Sequence, residues 1–246
     1  MKALLTSTAV VGLLLGASTS ANATLAFWAD VNGTIISCVD GAACDTNPNP
    51  DQLSIADQTV AGVSVQGNST NSATAPPQNS LNTSSFQITN TNGTSVPITV
   101  IVGQTNYAGP ITSFSASGGG TLQNAIGSNF DLSYFIDSAN GQGALGGATP
   151  GTPVANSGLF TSTVNPETFS FNDPNNPFSV STSLFSMTEE VTGSLTAGGI
   201  LVGRTQAIVN EVAAVPEPAS LTIFGSALLG MGWLARRRRK GGAANA

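Results

Sequence analysis

The sequence of 246 residues contains no histidine and has almost no positive charge outside its two ends. Lys2 stands near the start, five bases stand together at 236–240, and Arg204 is the only base between them. The interior, residues 24–214, carries 12 acids against that one base and therefore a net charge of −11. Nucleic acids and anionic lipids are bound through clustered cations. We therefore expect no nucleic-acid partner.

The missing histidine and lysine also limit the catalysis that the interior could perform. Without either residue, a Ser–His–Asp or Ser–Lys nucleophile cannot be built there. Paired carboxylates remain a route to glycoside hydrolysis. The adjacent Glu189 and Glu190 are poor partners for each other, because neighbours on a strand point to opposite faces. We expect a non-enzymatic protein with no catalytic residues and no cofactor.

The first 23 residues have the pattern of a secretory signal peptide. Lys2 supplies a positive start, residues 3–17 form an apolar run, and Ala21-Asn22-Ala23 provides small residues at the cleavage positions Ala21 and Ala23. The apolar run is too short, and too closely followed by this site, to favour a retained membrane helix. An uncleaved anchor is the alternative. The pattern predicts cleavage after Ala23 and export of the chain.

Only two cysteines are present, Cys38 and Cys44. An even number of cysteines in an exported protein predicts a disulfide. A zinc site would need further ligands, and there is no histidine to provide them, so we expect no metal site here. The following segment, 45–51, places oxygen-bearing side chains at every second position, as a calcium loop does. It lacks the glycine and the distal glutamate of such a loop, which favours a solvated turn.

Apolar residues in the interior recur at every second position, which predicts strands with one buried face. The sets are Val96, Ile98, Val100, Val102; Phe130, Leu132, Tyr134, Ile136; Phe178, Val180, Thr182, Leu184; and Met187, Val191, Leu195. Turn residues separate such runs at 92–93, 118–120, 141–151 and 172–177, and the Asn- and Ser-rich segment 67–85 indicates a long surface loop. Residues 24–214 are therefore predicted to form an all-β body, a β-sandwich or a jelly-roll-like fold.

The C-terminal segment, residues 215–240, has three parts. Pro216-Glu217-Pro218 is stiff and extended, because proline fixes its own φ and disfavours helix in the residue before it. Residues 219–235 carry no charge and predict a transmembrane helix of about 25 Å. Five cations follow: Arg236, Arg237, Arg238, Arg239 and Lys240. This basic stop-transfer cluster belongs on the cytoplasmic side, which places the body outside the inner membrane. Residues 241–246 are predicted to be a disordered tail.

The order and spacing of these three parts resemble the PEP-CTERM protein-sorting signal of Gram-negative bacteria. The resemblance covers only the last part of the chain. It implies that an exosortase, a membrane-embedded transpeptidase, recognises and cuts the chain near Pro216-Glu217-Pro218. The body would then leave the inner membrane for the cell surface or the medium. The family also implies exopolysaccharide as a candidate partner and a place in the biofilm matrix. An ordinary single-span anchor is the competing interpretation.

Two functions follow as hypotheses. The first is a non-catalytic surface or matrix protein, whose body is delivered by the signal peptide and the sorting signal. The second is a secreted carbohydrate-binding module or carbohydrate-active enzyme that uses the same signal. The sorting segment indicates where the protein goes but does not indicate what the body does there.

Overall fold

The computed structural model describes residues 24–73, 78–143 and 149–211. The predicted signal peptide with Ala21 and Ala23, the sorting segment 215–240 with its span 219–235, and the tail 241–246 lie outside the described residues. Within the described part, no helix is long and apolar enough to cross a membrane. Every named element in that part is a β-strand, which confirms the all-β expectation.

Thirteen described strands form two sheets in which all paired strands are antiparallel. The seven-stranded sheet contains β1 (Leu25–Val31), β2 (Thr34–Val39), β6 (Val96–Ala108), β8 (Asn129–Asp137), β9 (Thr152–Asn156), β10 (Phe160–Thr161) and β12 (Leu184–Leu195). Its order is β10-β8-β12-β6-β1-β2, and β9 also pairs with β8. The six-stranded sheet contains β3 (Gln52–Val60), β4 (Val63–Ala73), β5 (Gln78–Asn90), β7 (Ile111–Gln123), β11 (Glu167–Val180) and β13 (Ile200–Glu211), in the order β11-β7-β13-β5-β4-β3.

One hydrophobic core contains residues from both sheets, as in a β-sandwich. The alternating residues of β8 and β6 are buried as predicted: Phe130, Leu132, Tyr134 and Ile136, and Val96, Ile98, Val100 and Val102. Aromatic rings meet between the sheets, since Tyr134 on β8 stacks on Phe171 of β11 with ring centroids 6.0 Å apart. Phe160 of β10 and Phe169 of β11 make a second such contact at 5.3 Å.

The glycine triplet 118–120 does not form the predicted turn; it lies inside β7, between β11 and β13. A Cβ on Gly118 would lie 2.6 Å from Cδ1 of Leu132 in the facing sheet. On Gly120 it would lie 2.4 Å from the carbonyl oxygen of Val202 and 3.0 Å from the Phe169 ring. Glycine is therefore required at these positions because neighbouring atoms lie too close for a side chain. In the sequence, glycines used in this way inside a strand look the same as the glycines of a turn.

The prediction of a turn at 172–177 is also wrong, because these residues continue β11. The strand is at the edge of the six-stranded sheet, and its register shifts between Asp173 and Asn176 and again after Pro177. Edge strands and bulges tolerate proline because one row of amides has no strand partner to bond. The two prolines, Pro174 and Pro177, thus mark an irregular edge strand.

The apolar set predicted from Phe178 to Leu184 does not belong to one strand. β11 ends at Val180 and β12 begins at Leu184, which is 38% exposed. By contrast, Met187, Val191 and Leu195 are buried on β12, as their spacing predicted.

The predicted surface loop 67–85 is instead occupied by β4 and β5, apart from residues 74–77, which are not described. Its inward positions on β5 include the polar Asn79 and Thr83, which are 3% exposed. Polar residues at buried positions removed the hydrophobic alternation on which the prediction relied.

A disulfide joins Cys38, at the end of β2, to Cys44. The ring closes over a sequence separation of six residues, and Cys38 is buried in the core. The chain-entropy model gives so short a ring about 2 kcal/mol of stabilisation.

Candidate functional site

The structure does not describe the sorting residues Pro216, Glu217 and Pro218, the cluster Arg236–Lys240 or the cleavage residues Ala21 and Ala23. The candidate sites that it does describe are a groove on the outside of the six-stranded sheet and a polar cluster inside the sandwich.

The outer groove is lined by side chains that the strand register places in rows on the outer face of the six-stranded sheet. Residues of β13 alternate between the core, at Leu201, Gly203, Thr205 and Ala207, and the outer face, at Val202, Arg204 and Gln206. Arg204 pairs with Gly119 of β7, and Gly119 pairs with Ser170 of β11, so the three lie in one row across the sheet. The next row contains Gln206, Ser117 and Asn172 in the same order, with Asn82 of β5 on the other side of Gln206.

The groove encloses about 880 Å³. A second depression of about 320 Å³ lies toward β4 and shares Ser85 and Val202 with it. A register shift in β5 helps to shape this face, because Arg204 stands where β5 has the extra residues Ser84 and Ser85. Such a bulge bends the strand and increases its twist.

The charge of the outer groove differs from that of the rest of the body. Among the described residues that line it there is no aspartate or glutamate, and Arg204 is the only charged one. Arg204 is exposed and forms no ion pair with a described carboxylate. The other side chains on its outer face include amides and hydroxyls, with Val202 as an apolar contact that is 36% exposed.

The polar cluster inside the sandwich is centred on Glu189 of β12, which is 2% exposed. Its Oε2 accepts hydrogen bonds from the hydroxyls of Thr83 (2.8 Å) and Thr205 (2.7 Å), both on the opposite sheet. The Oγ atoms of Ser69 and Thr83 lie 3.2 Å apart and extend the network to β4. Oε1 of Glu189 has no hydrogen-bond partner among the described residues.

Burial raises the pKa of Glu189 to about 7, and the hydrogen bonds from Thr205 and Thr83 oppose that rise. The same desolvation, together with the nearby charge of Glu189, raises the pKa of Tyr107 and of Tyr134. Tyr134 donates its hydroxyl hydrogen to the carbonyl of Ser117 at 2.7 Å. The cluster therefore joins one ionisable carboxyl of the seven-stranded sheet to the six-stranded sheet by hydrogen bonds inside the core.

Glu190, next along β12, lies on the other face of its sheet and is only partly buried. Partial burial raises its pKa, and a hydrogen bond from Thr149 opposes the rise. The two adjacent glutamates therefore do not face each other across a common space, as expected of neighbouring strand residues.

In the segment 45–51, the carboxylate of Asp45 is engaged by backbone N–H groups before, within and after the segment. Asp45 accepts hydrogen bonds from the backbone N–H groups of Gly41, Asn47 and Ser54 at 3.1, 2.9 and 3.0 Å. Burial opposes ionisation of Asp45, but these bonds outweigh it and lower its pKa. Among the described residues, no group of three or more His, Cys, Asp or Glu side chains is arranged to hold a metal ion.

Sequence reasoning placed none of the outer-groove residues in a site. The register that aligns Arg204 with Gly119 and Ser170 cannot be read from three separate strands. The signal that was available was the isolation of Arg204 as the one cation of the body. Glu189 was noted only as a neighbour of Glu190, and its position between Met187 and Val191 on the apolar face of β12 could have identified it as a core residue.

Comparison with known proteins identifies the C-terminal segment. Residues 214–239 match the PEP-CTERM protein-sorting motif, which confirms the resemblance that Pro216-Glu217-Pro218 and the arginine cluster indicated. The motif implies an exported protein that an exosortase processes. No curated protein sequence matches the chain.

Among solved structures, one similar chain is TmCBM61 in complex with beta-1,4-galactotriose, with 14% identity, a TM-score of 0.29, and coverage of 61% of this chain and 90% of that one. Another is the enzymatically active domain of tailspike protein 4 of bacteriophage CBA120, with 15% identity, a TM-score of 0.28, and coverage of 62% and 18%. A chain of infectious bursal disease virus, Gt strain, has 13% identity and a TM-score of 0.27, with coverage of 83% and 59%. At these TM-scores the similarities assign neither fold nor ligand.

Proposed function

We propose, from the PEP-CTERM motif at residues 214–239, that this chain is an exosortase substrate whose β-sandwich is delivered to the cell surface or the extracellular matrix. The signal peptide takes the body through the inner membrane, and the apolar span with its five cations holds the precursor there with Arg236–Lys240 inside. Pro216-Glu217-Pro218 then presents an extended peptide for cleavage.

The sorting motif is the observation that carries this proposal, and the character of the body supports it. The body is acidic, and its cysteines form a disulfide, a bond that persists outside the cytoplasm. Its only adjacent acids, Glu189 and Glu190, are directed to opposite sides of their sheet. These features suit a structural or binding protein, with exopolysaccharide as the candidate partner, rather than a hydrolase.

The test is expression in a host that carries an exosortase, followed by fractionation and intact-mass measurement. The wild type is compared with Glu217→Ala and with a control, Glu211→Ala, which removes an acid from the end of β13 but leaves the motif intact. We expect wild type and control to lose both residues 1–23 and the arginine cluster and to leave the inner membrane. The Glu217→Ala variant is expected to accumulate uncut in the membrane.

A wild-type protein that keeps Arg236–Lys240 and stays in the inner membrane would show that the segment is a plain anchor. Equal processing of wild type and Glu217→Ala would show that the glutamate is not read by the enzyme. Either result contradicts the proposed mechanism, and the second leaves export itself standing.

A further inference from the structure

The outer groove of the six-stranded sheet has no part in sorting, yet its chemistry is specific. Its lining is amide- and hydroxyl-rich, with Asn82, Ser117, Thr121, Ser170, Asn172 and Gln206 on the outer face. Such groups both donate and accept hydrogen bonds, as the hydroxyls of a sugar do. A surface of this kind offers a sugar chain repeated complementary contacts.

Arg204 adds one positive charge to that surface, which favours a ligand with a negative charge. The body has 12 acids and one cation, and that cation stands exposed in a groove that no carboxylate of the described residues lines. An arginine so placed forms no ion pair with the described acids and keeps its donors available to a bound anion. The planar guanidinium can bind a carboxylate through two parallel hydrogen bonds.

The shape of the groove favours an extended ligand. The lining runs from β11 across β7 and β13 to β5, and the three inter-strand gaps between these strands amount to about 14 Å at ~4.8 Å per gap. Gly119 leaves an opening beside Arg204, between that residue and Ser170. A Cβ on Gly119 would lie 2.9 Å from the carbonyl oxygen of Phe169, so a side chain is not readily placed there.

We infer that the outer groove binds an extended acidic polysaccharide, with the carboxylate of one sugar unit held by Arg204 and neighbouring sugar hydroxyls held by the amide and hydroxyl side chains. The net charge of −11 does not prevent this, because charges farther than about 8 Å are largely screened at physiological ionic strength. The inference rests on the proposed function only in that export brings the body to such polymers.

The experiment uses the full-length chain in a polyoxyethylene detergent, so that neither processing nor a sugar-based detergent affects the result. Binding is measured by interferometry on immobilised polygalacturonate and on the same polymer after carboxyl reduction, with EDTA present to exclude bridging by divalent cations. The variants are Arg204→Gln, Arg204→Lys and Ile35→Glu. Ile35 is 59% exposed on β2 of the other sheet, and its substitution changes the net charge by the same amount as Arg204→Gln.

We expect saturable binding to polygalacturonate and binding at least about tenfold weaker to the reduced polymer, as expected when a charge-assisted hydrogen bond is lost. The affinity of Arg204→Gln for polygalacturonate should fall by a similar factor, and that of Arg204→Lys should fall by less. The affinity of Ile35→Glu should stay within about twofold of the wild-type value. Circular dichroism identifies any variant that has not folded.

Four results would overturn the inference. Absence of saturable binding to polygalacturonate would do so, and so would equal or tighter binding to the reduced polymer, which would indicate a site for neutral sugars. Equal binding by wild type and Arg204→Gln would do so as well, because it would assign the binding to the cations at 236–240. An equal loss in Arg204→Gln and Ile35→Glu would show that overall charge, not the groove, controls binding. None of these results bears on exosortase processing, which is measured separately.

Discussion

Replacing Glu189 by glutamine should change how the stability of this protein depends on pH. The carboxyl is buried in the core, its pKa is raised by desolvation to about 7, and the ordinary value is 4.5. Below pH 4.5 the group is protonated in both the folded and the unfolded chain. As the pH rises from there, the unfolded chain ionises first, and the folded state loses relative stability until its own carboxyl ionises near pH 7.

The size of this loss follows from the two pKa values. A difference of about 2.5 units corresponds to about 3 kcal/mol of unfolding free energy, lost between roughly pH 4.5 and pH 7. Glutamine cannot ionise, and its carbonyl oxygen can still accept hydrogen bonds from Thr83 and Thr205. The stability of Glu189→Gln relative to wild type should therefore rise by about 3 kcal/mol over that pH range.

The assay is urea unfolding followed by far-UV circular dichroism at half-unit steps from pH 4.5 to 8. Glu190→Gln is the matched control, because Glu190 is the next residue on the same strand and is only partly buried. Its pKa is raised as well, so the same trend with a smaller size is expected. A difference between Glu189→Gln and wild type that stays flat with pH, or that falls, would refute the assigned burial of this carboxyl.

Two further predictions concern packing and the disulfide. A Cβ on Gly203 would lie 2.4 Å from Cζ of the buried Phe86 ring, so Gly203→Ala should destabilise the fold by about 1–3 kcal/mol in the same urea assay. Gly93→Ala, where nothing lies within 4 Å, should change stability by less than about 0.5 kcal/mol, and equal effects would contradict the packing argument. The double substitution of Cys38 and Cys44 by alanine should cost about 2 kcal/mol, and reductant should then lower wild-type stability but leave the variant unchanged.

The strands whose apolar residues alternate without interruption could be predicted from the sequence. On β8, and on β6 as far as Val102, every second side chain is aliphatic or aromatic, and the structure buries these residues. The signal failed where glycine or polar residues took the inward positions. Gly118 and Gly120 of β7 face the interior, where Leu132 of the facing sheet approaches the first and the Phe169 ring approaches the second. Asn79 and Thr83 of β5 also face inward, and hydrogen bonds to Ala108 and Glu189 satisfy them there.

The sequence by itself determined the sorting segment, because Pro216-Glu217-Pro218, the apolar span and the arginine cluster are adjacent in the chain and need no fold to be recognised. It also determined the charge of the body and the all-β class, which depend on composition and short-range periodicity. Only the tertiary structure decided which residues share a surface. Strand pairing places Arg204 in one row with Gly119 and Ser170, although the three strands lie far apart in the chain. Packing of the two sheets allows Glu189 to accept hydrogen bonds from Thr83 and Thr205. Such pairings are set by the packing of the whole sandwich, so neither site is present in any local stretch of sequence.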